Sequence, residues 1–180
     1  LAALLEKSGS AVFFCRPDKE NENLIVLNHP AIEDTPNILP INLVRDLSEF
    51  SDILSCLRID IVHIHHTAGM SSIAPDFFRR ACQIAGVRYD VTVHDYMSVC
   101  PRITLIDGSG LYCGEPKISV CENCIESNGS PFGTPSVWEW RDRFARLLSD
   151  ARKVYVPNRD VKVRMNRYFP NISFSVREHP

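Results

Sequence analysis

Three times between residues 60 and 176 a short run suited to a β-strand is followed by a helical pattern and then by another such run. DIVHIH (60–65) leads into a helix carrying Ile73, Phe77, Ala81 and Ile84, opened at Ser71 or Ser72 and stopped at Gly86; VRYDVTV (87–93) follows. Ser136 and Glu139 have the spacing of a capping box and open a helix with Val137, Trp140, Phe144, Leu147 and Ala151 on one face. KVYVP (153–157), a helix from about Asn158 to Phe169 and NISFSV (171–176) complete the series. Consecutive strands joined by helices are the pattern of a parallel sheet, because a parallel pair needs a crossover of about a dozen residues or more.

Upstream, SAVFFC (10–15) and NLIVLN (23–28) read as the first two strands. Asp46 and Glu49 form a second capping-box spacing ahead of Leu47, Phe50, Leu54 and Leu57. The expectation is one α/β domain over residues 1–180: a Rossmann-like, doubly wound, mostly parallel sheet with helices on both faces, interrupted by a long cysteine-containing loop. With 180 residues, 44% of them hydrophobic, the chain can bury a core without disulfides. A net charge of -2 argues against a nucleic-acid partner. No stretch approaches the ~20 apolar residues of a membrane-spanning helix. The opening LAALLEKSG reads as the end of a helix closed by Gly9, with the natural start removed.

The irregular stretch is 95–135, which holds Pro101, Pro116, Pro131, Pro135 and five glycines. A structureless loop this long calls for a function or a staple. Cys100, Cys113, Cys121 and Cys124 lie in it, separated by twelve, seven and two residues, and the last pair makes a C-x-x-C half-site. Four soft ligands in one loop point to structural zinc, with disulfides or unligated thiols as the alternatives. Cys15, Cys56 and Cys82 read as small buried hydrophobes. Seven cysteines in a chain this large suggest a reducing compartment, hence a cytoplasmic location.

Ligands of doubly wound sheets sit outside the carboxyl ends of the strands. Two such ends carry histidine: His65 and His66, which lead through Gly69 towards a helix N-terminus, and His94 with Asp95. His63 reads as structural, pointing away from its neighbours. No catalytic metal is expected. Phosphohydrolases with a His-Asp pair carry it on a helix, and the metallo-β-lactamase pattern needs Asp-His where Thr67-Ala68 stands. A dinucleotide oxidoreductase would need G-x-G-x-x-G after a strand, and the chain has none. Residues 141–167 hold nine Lys or Arg against three Asp, either a solvated face or a contact for anionic lipid heads.

DIVHIHHTAGMSS, TVHDYMSVCPRITLIDGSGLYC, CENC and SFSVREHP together resemble the N-terminal domain of a GT-B retaining glycosyltransferase of glycosyltransferase family 4, over about Leu1 to Pro180. The resemblance implies an acceptor-binding half, with a nucleotide-sugar donor gripped mainly by a C-terminal half and a glycan or lipid-linked acceptor. It implies that His94 lies against the donor sugar near its anomeric carbon, that Asp95 orients His94 or the loop, and that Arg102 holds the acceptor or ties down the cysteine loop. The family's first strand with its Gly-rich turn would precede Leu1 and the donor domain would follow Pro180, so the chain alone is expected to be inactive. The other class in view is a noncatalytic, zinc-stabilised Rossmann-like binding module.

Overall fold

The structure, a computed structural model, describes residues 2–28 and 40–178. Its elements are α1 (Ala2–Lys7), β1 (Phe14–Pro17), β2 (Leu24–Asn28), β3 (Ile41–Asn42), α2 (Leu47–Cys56), β4 (Ile61–Ile64), α3 (Ala74–Ala85), β5 (Arg88–Thr92), α4 (Ile118–Asn128), α5 (Val137–Asp150), β6 (Lys153–Val156), α6 (Arg159–Tyr168) and β7 (Phe174–Val176). The class is α/β: β4-β5-β6-β7 form a parallel sheet in that order, flanked by helices, as in Rossmann-like folds. Right-handed crossovers along a sheet of monotonic order set α3, α5 and α6 on one face. That face carries Tyr89, Val91, Val93, Val154, Val156 and Phe174, all buried, against Phe77, Phe78, Trp140, Leu147 and Met165. Tyr89 Oη crosses to donate to the Leu147 carbonyl at 2.6 Å.

The first two strands stand apart from this sheet. β1 and β2 pair antiparallel, Phe14 opposite Asn28 and Pro17 opposite Ile25, and β3 adds to β2. The cause is the short connection from Asp18 to Asn23, which can close a hairpin but cannot cross over a sheet. This small sheet joins the segment after β4 through the Ser71 amide, which donates to the Glu22 carbonyl at 2.7 Å.

Local signals met different fates. Gly86 ends α3 in the left-handed conformation at φ 68°, and Ser136 Oγ accepts the Glu139 amide. Asp46 does not cap α2; its carboxylate accepts the Asn42 amide at 2.8 Å instead. Leu57 and Ile84, expected on apolar faces, are exposed where their helices end. Cys82 is buried, but Cys56 is exposed. The 95–135 stretch contains α4, whose only buried residue is Ile125, so it shows no apolar stripe to read. Its Glu122 carboxylate accepts the Val137 and Trp138 amides at 2.9 and 3.0 Å, capping α5 from outside. Among the described residues no helix is long and apolar enough to cross a membrane.

Candidate functional site at the carboxyl ends of β4 and β5

Parallel pairing of Ile64 with Val91 brings the residues that follow β4 beside those that follow β5. Three polar pairs result, each spanning 29 residues: His63 with Thr92, His65 with His94, and His66 with Asp95. Strand alternation sends the first two pairs to one face and the third to the other.

On the first face His63 Nε2 lies 2.7 Å from Thr92 Oγ1, and His65 Nδ1 lies 3.1 Å from His94 Nε2. The His63 and His65 rings stack at 4.3 Å with 9° between planes. His63 therefore shares a face with His65, as residues two apart on a strand must, and belongs to the histidine group instead of pointing away from it. Burial lowers the pKa of both His63 and His65, and for His65 the neighbouring His63 and His94 rings lower it further. For His63, Asp90 works in the opposite sense while Arg177, His94 and Arg152 add to the lowering. These imidazoles thus favour the neutral state. In the His65–His94 contact one ring donates and the other accepts, so their tautomers are linked.

On the other face His66 Nε2 donates to Asp95 Oδ2. The Ala68 amide donates to His66 Nδ1 at 2.7 Å, which places the proton of the neutral ring on Nε2. The hydrogen bond to Asp95 raises the His66 pKa against the opposing effect of burial. Burial pushes Asp95 up, but the His66 bond and the Met97 amide at 2.8 Å to Oδ1 hold it below its ordinary value. Asp95 thus orients His66 and its own loop. Beneath this pair lies a cavity of about 40 Å³ bounded by Thr67, Met97, Phe144 and Leu148, room for ordered water only.

Helix α5 holds the loop in place. Trp140 Nε1 donates to the Met97 carbonyl at 2.6 Å and Arg141 Nε to the Val99 carbonyl at 2.8 Å. Nothing local in VHDYMSVCP announces either bond.

Gly69 sits in the 66–70 turn at φ +77°, where an added Cβ would lie 3.1 Å from Pro17 Cγ. It is not at a helix N-terminus, because α3 starts at Ala74 with Pro75 in its first turn. A larger cleft, about 670 Å³, is lined by residues 17–22, the turn at Ala68, Gly69 and Met70, and Ile103, Pro131 and Phe132.

Arg102 ties down the cysteine loop. Its Nε donates to the Ile106 carbonyl at 3.0 Å, and Nη1 donates to the carbonyls of Asn128 and Gly129 at 3.3 and 3.1 Å, where α4 ends. Burial raises the Cys100 pKa, and the nearby Cys113 and Cys121 thiols add to the rise. Cys121 Sγ accepts from Arg141 Nη2 at 3.4 Å, and Cys124 Sγ from Asn128 Nδ2 at 3.7 Å. Among the described residues no group of three or more His, Cys, Asp or Glu is gathered to hold a metal ion.

The basic stretch is largely answered from within. Arg143 and Arg146 converge on Asp76, Arg152 pairs with Asp90, and Arg164 pairs with Asp160 and Glu115. Lys153, Arg159 and Lys162 keep no ion pair among the described residues.

No family model matches the chain, and no curated protein matches it at a significant level.

Proposed function

We propose that this chain is the acceptor-binding half of a retaining glycosyltransferase of the GT-B kind, in glycosyltransferase family 4, acting with a nucleotide-sugar donor on a glycan or lipid-linked acceptor. The observation that supports it best is the His65–His94 contact at the carboxyl end of β5, beside the His66–Asp95 pair. The HDYMSVCPR motif adds its resemblance to the family.

In this reading His94 meets the donor sugar, and its imidazole, backed by His65, supports charge developing at the anomeric carbon. Asp95 acts through His66 and the loop, and Arg102 holds that loop's far end. No step needs a metal ion. A cytoplasmic location accords with the free thiols. Peripheral contact with an anionic membrane surface would fall to Lys153, Arg159 and Lys162.

The alternative is a noncatalytic, zinc-stabilised binding module, suggested by the four cysteines Cys100, Cys113, Cys121 and Cys124 within one loop. A zinc ion shared with Cys124 would have to displace Arg141 and Asn128 from the sulfurs of Cys121 and Cys124. Metal content of the purified chain, with and without Cys121→Ser, tests that site directly.

The deciding experiment is His94→Ala in a protein joining this chain to a donor-binding half. Turnover per folded molecule should fall on the order of 10²-fold or more, with the melting temperature little changed. Wild-type turnover by the variant would refute the reading.

A further inference from the structure

We propose that the cleft between the β1–β2 turn and the 66–70 turn binds a neutral or amino-bearing glycosyl unit and disfavours one carrying phosphate or carboxylate, which, on the transferase reading above, makes it an acceptor subsite.

The cleft is the right size. At about 670 Å³ it falls within the ~300–1,000 Å³ of small-ligand pockets and exceeds what a single ordered solvent cluster needs. Its lining also mixes apolar and carboxylate groups, as a pyranose mixes C–H and hydroxyl surfaces. Pro17, Met70, Ile103 and Phe132 offer apolar surface for the C–H face of a sugar ring. The β1–β2 turn adds carboxylates that accept from hydroxyls.

The charge of that turn sets the selectivity. Among the described residues that line the cleft, Asp18, Glu20 and Glu22 stand against one cation, Lys19. Asp18 Oδ1 is spent on its own turn, accepting the Glu20 and Asn21 amides at 2.9 and 3.1 Å. Glu20 and Glu22 are exposed, and their carboxylates repel an anionic substituent while attracting an ammonium.

The walls are set by the residues of the histidine site. The turn that carries Ala68 and Gly69 is fastened by the Ala68 amide to His66 Nδ1 at 2.7 Å. Ile103 accepts the Tyr96 amide at 3.1 Å and donates its own to Cys100 at 2.9 Å. These bonds hold it at φ 72°, a setting β-branched residues rarely adopt. A ligand in the cleft therefore touches both loops that carry His66, His94 and Asp95.

The test is amide chemical-shift titration of the 180-residue chain at low ionic strength, with four probes: methyl β-glucopyranoside, glucosamine, glucuronate and glucose 1-phosphate. Taken to about 50 mM, they reveal millimolar binding. The two probes without an anionic group should shift the amides of Lys19 to Glu22, Gly69 and Ile103, and the anionic pair should bind at least ~10-fold more weakly, which is one decade in Kd. The E20K/E22K variant, changed only at exposed turn positions, should reverse that order. Equal or tighter binding of the anionic probes, an unchanged order in the variant, or no cleft amide moving with any probe would overturn the assignment. The assay contains no donor and reads no turnover, so its failure leaves the His94 experiment standing, and an inert His94 leaves this result standing.

Discussion

His66 donates from Nε2 to Asp95 across 29 residues of sequence, and the Ala68 amide on its other nitrogen fixes which tautomer does so. That bond clamps the carboxyl ends of β4 and β5 and carries a pH signature. His66 has a raised pKa, so its contribution to stability is complete below its unfolded value of about 6.5 and is lost as pH rises through the folded one. Asp95 has a lowered pKa, so its contribution is present above about 3.9 and is lost as pH falls through the folded value. With 33% and 30% of the two side chains exposed, the coupling is worth about 0.5–1 kcal/mol after screening. Urea denaturation should show Asp95→Asn more damaging at pH 5 than at pH 9 by that amount. Equal losses at both would sink the account.

His63 and His65 work in the opposite direction. Their folded pKa values are lowered, so below about 6.5 the unfolded chain takes up protons first and stability falls with pH. Melting temperatures from pH 8 to pH 5 should fall for the wild type, and the slope should flatten in His65→Gln. A steeper slope in the variant would contradict the stacked, neutral arrangement.

Arg152 reaches Asp90 with two hydrogen bonds, Nε to Oδ1 at 2.9 Å and Nη2 to Oδ2 at 2.7 Å, and holds that carboxyl below its ordinary pKa. The Asp90 side chain is only 5% exposed. Arg152→Ala strands it and should cost about 3 kcal/mol, whereas adding Asp90→Val should recover most of the loss. The check is a double-mutant cycle by chemical denaturation, and additive losses would show that the pair is not coupled.

Gly69→Ala should destabilise the chain by about 1–2 kcal/mol, because the residue occupies the left-handed region. Its new Cβ would also press on Pro17 Cγ at 3.1 Å and alter the mouth of the cleft. Thermal denaturation of the variant is the measurement; an unchanged midpoint would mean that the 66–70 turn relaxes freely.

From residue 60 onward, outside the 95–135 stretch, strand and helix identities were legible because side-chain period is a local property. Apolar spacing marks α3 and α5, and Gly86 and Ser136 punctuate them as expected. The placement of His65, His66, His94 and Asp95 at strand ends was legible for the same reason. The tertiary structure alone decided who meets whom. Asp95 pairs with His66 rather than His94 because the β4–β5 register aligns residues 29 apart, and no local pattern records a register. The same holds for β1 and β2, whose strand character was plain but whose antiparallel pairing away from the main sheet followed from a short connection. Helix α4 was not legible because it buries little beyond Ile125 and is held by Arg102 at its carboxyl end and through its own Glu122 to the start of α5, contacts that only folding brings together. A basic run in the sequence likewise became a set of ion pairs, since charge is local but its compensation by Asp76, Asp90 and Glu115 depends on packing.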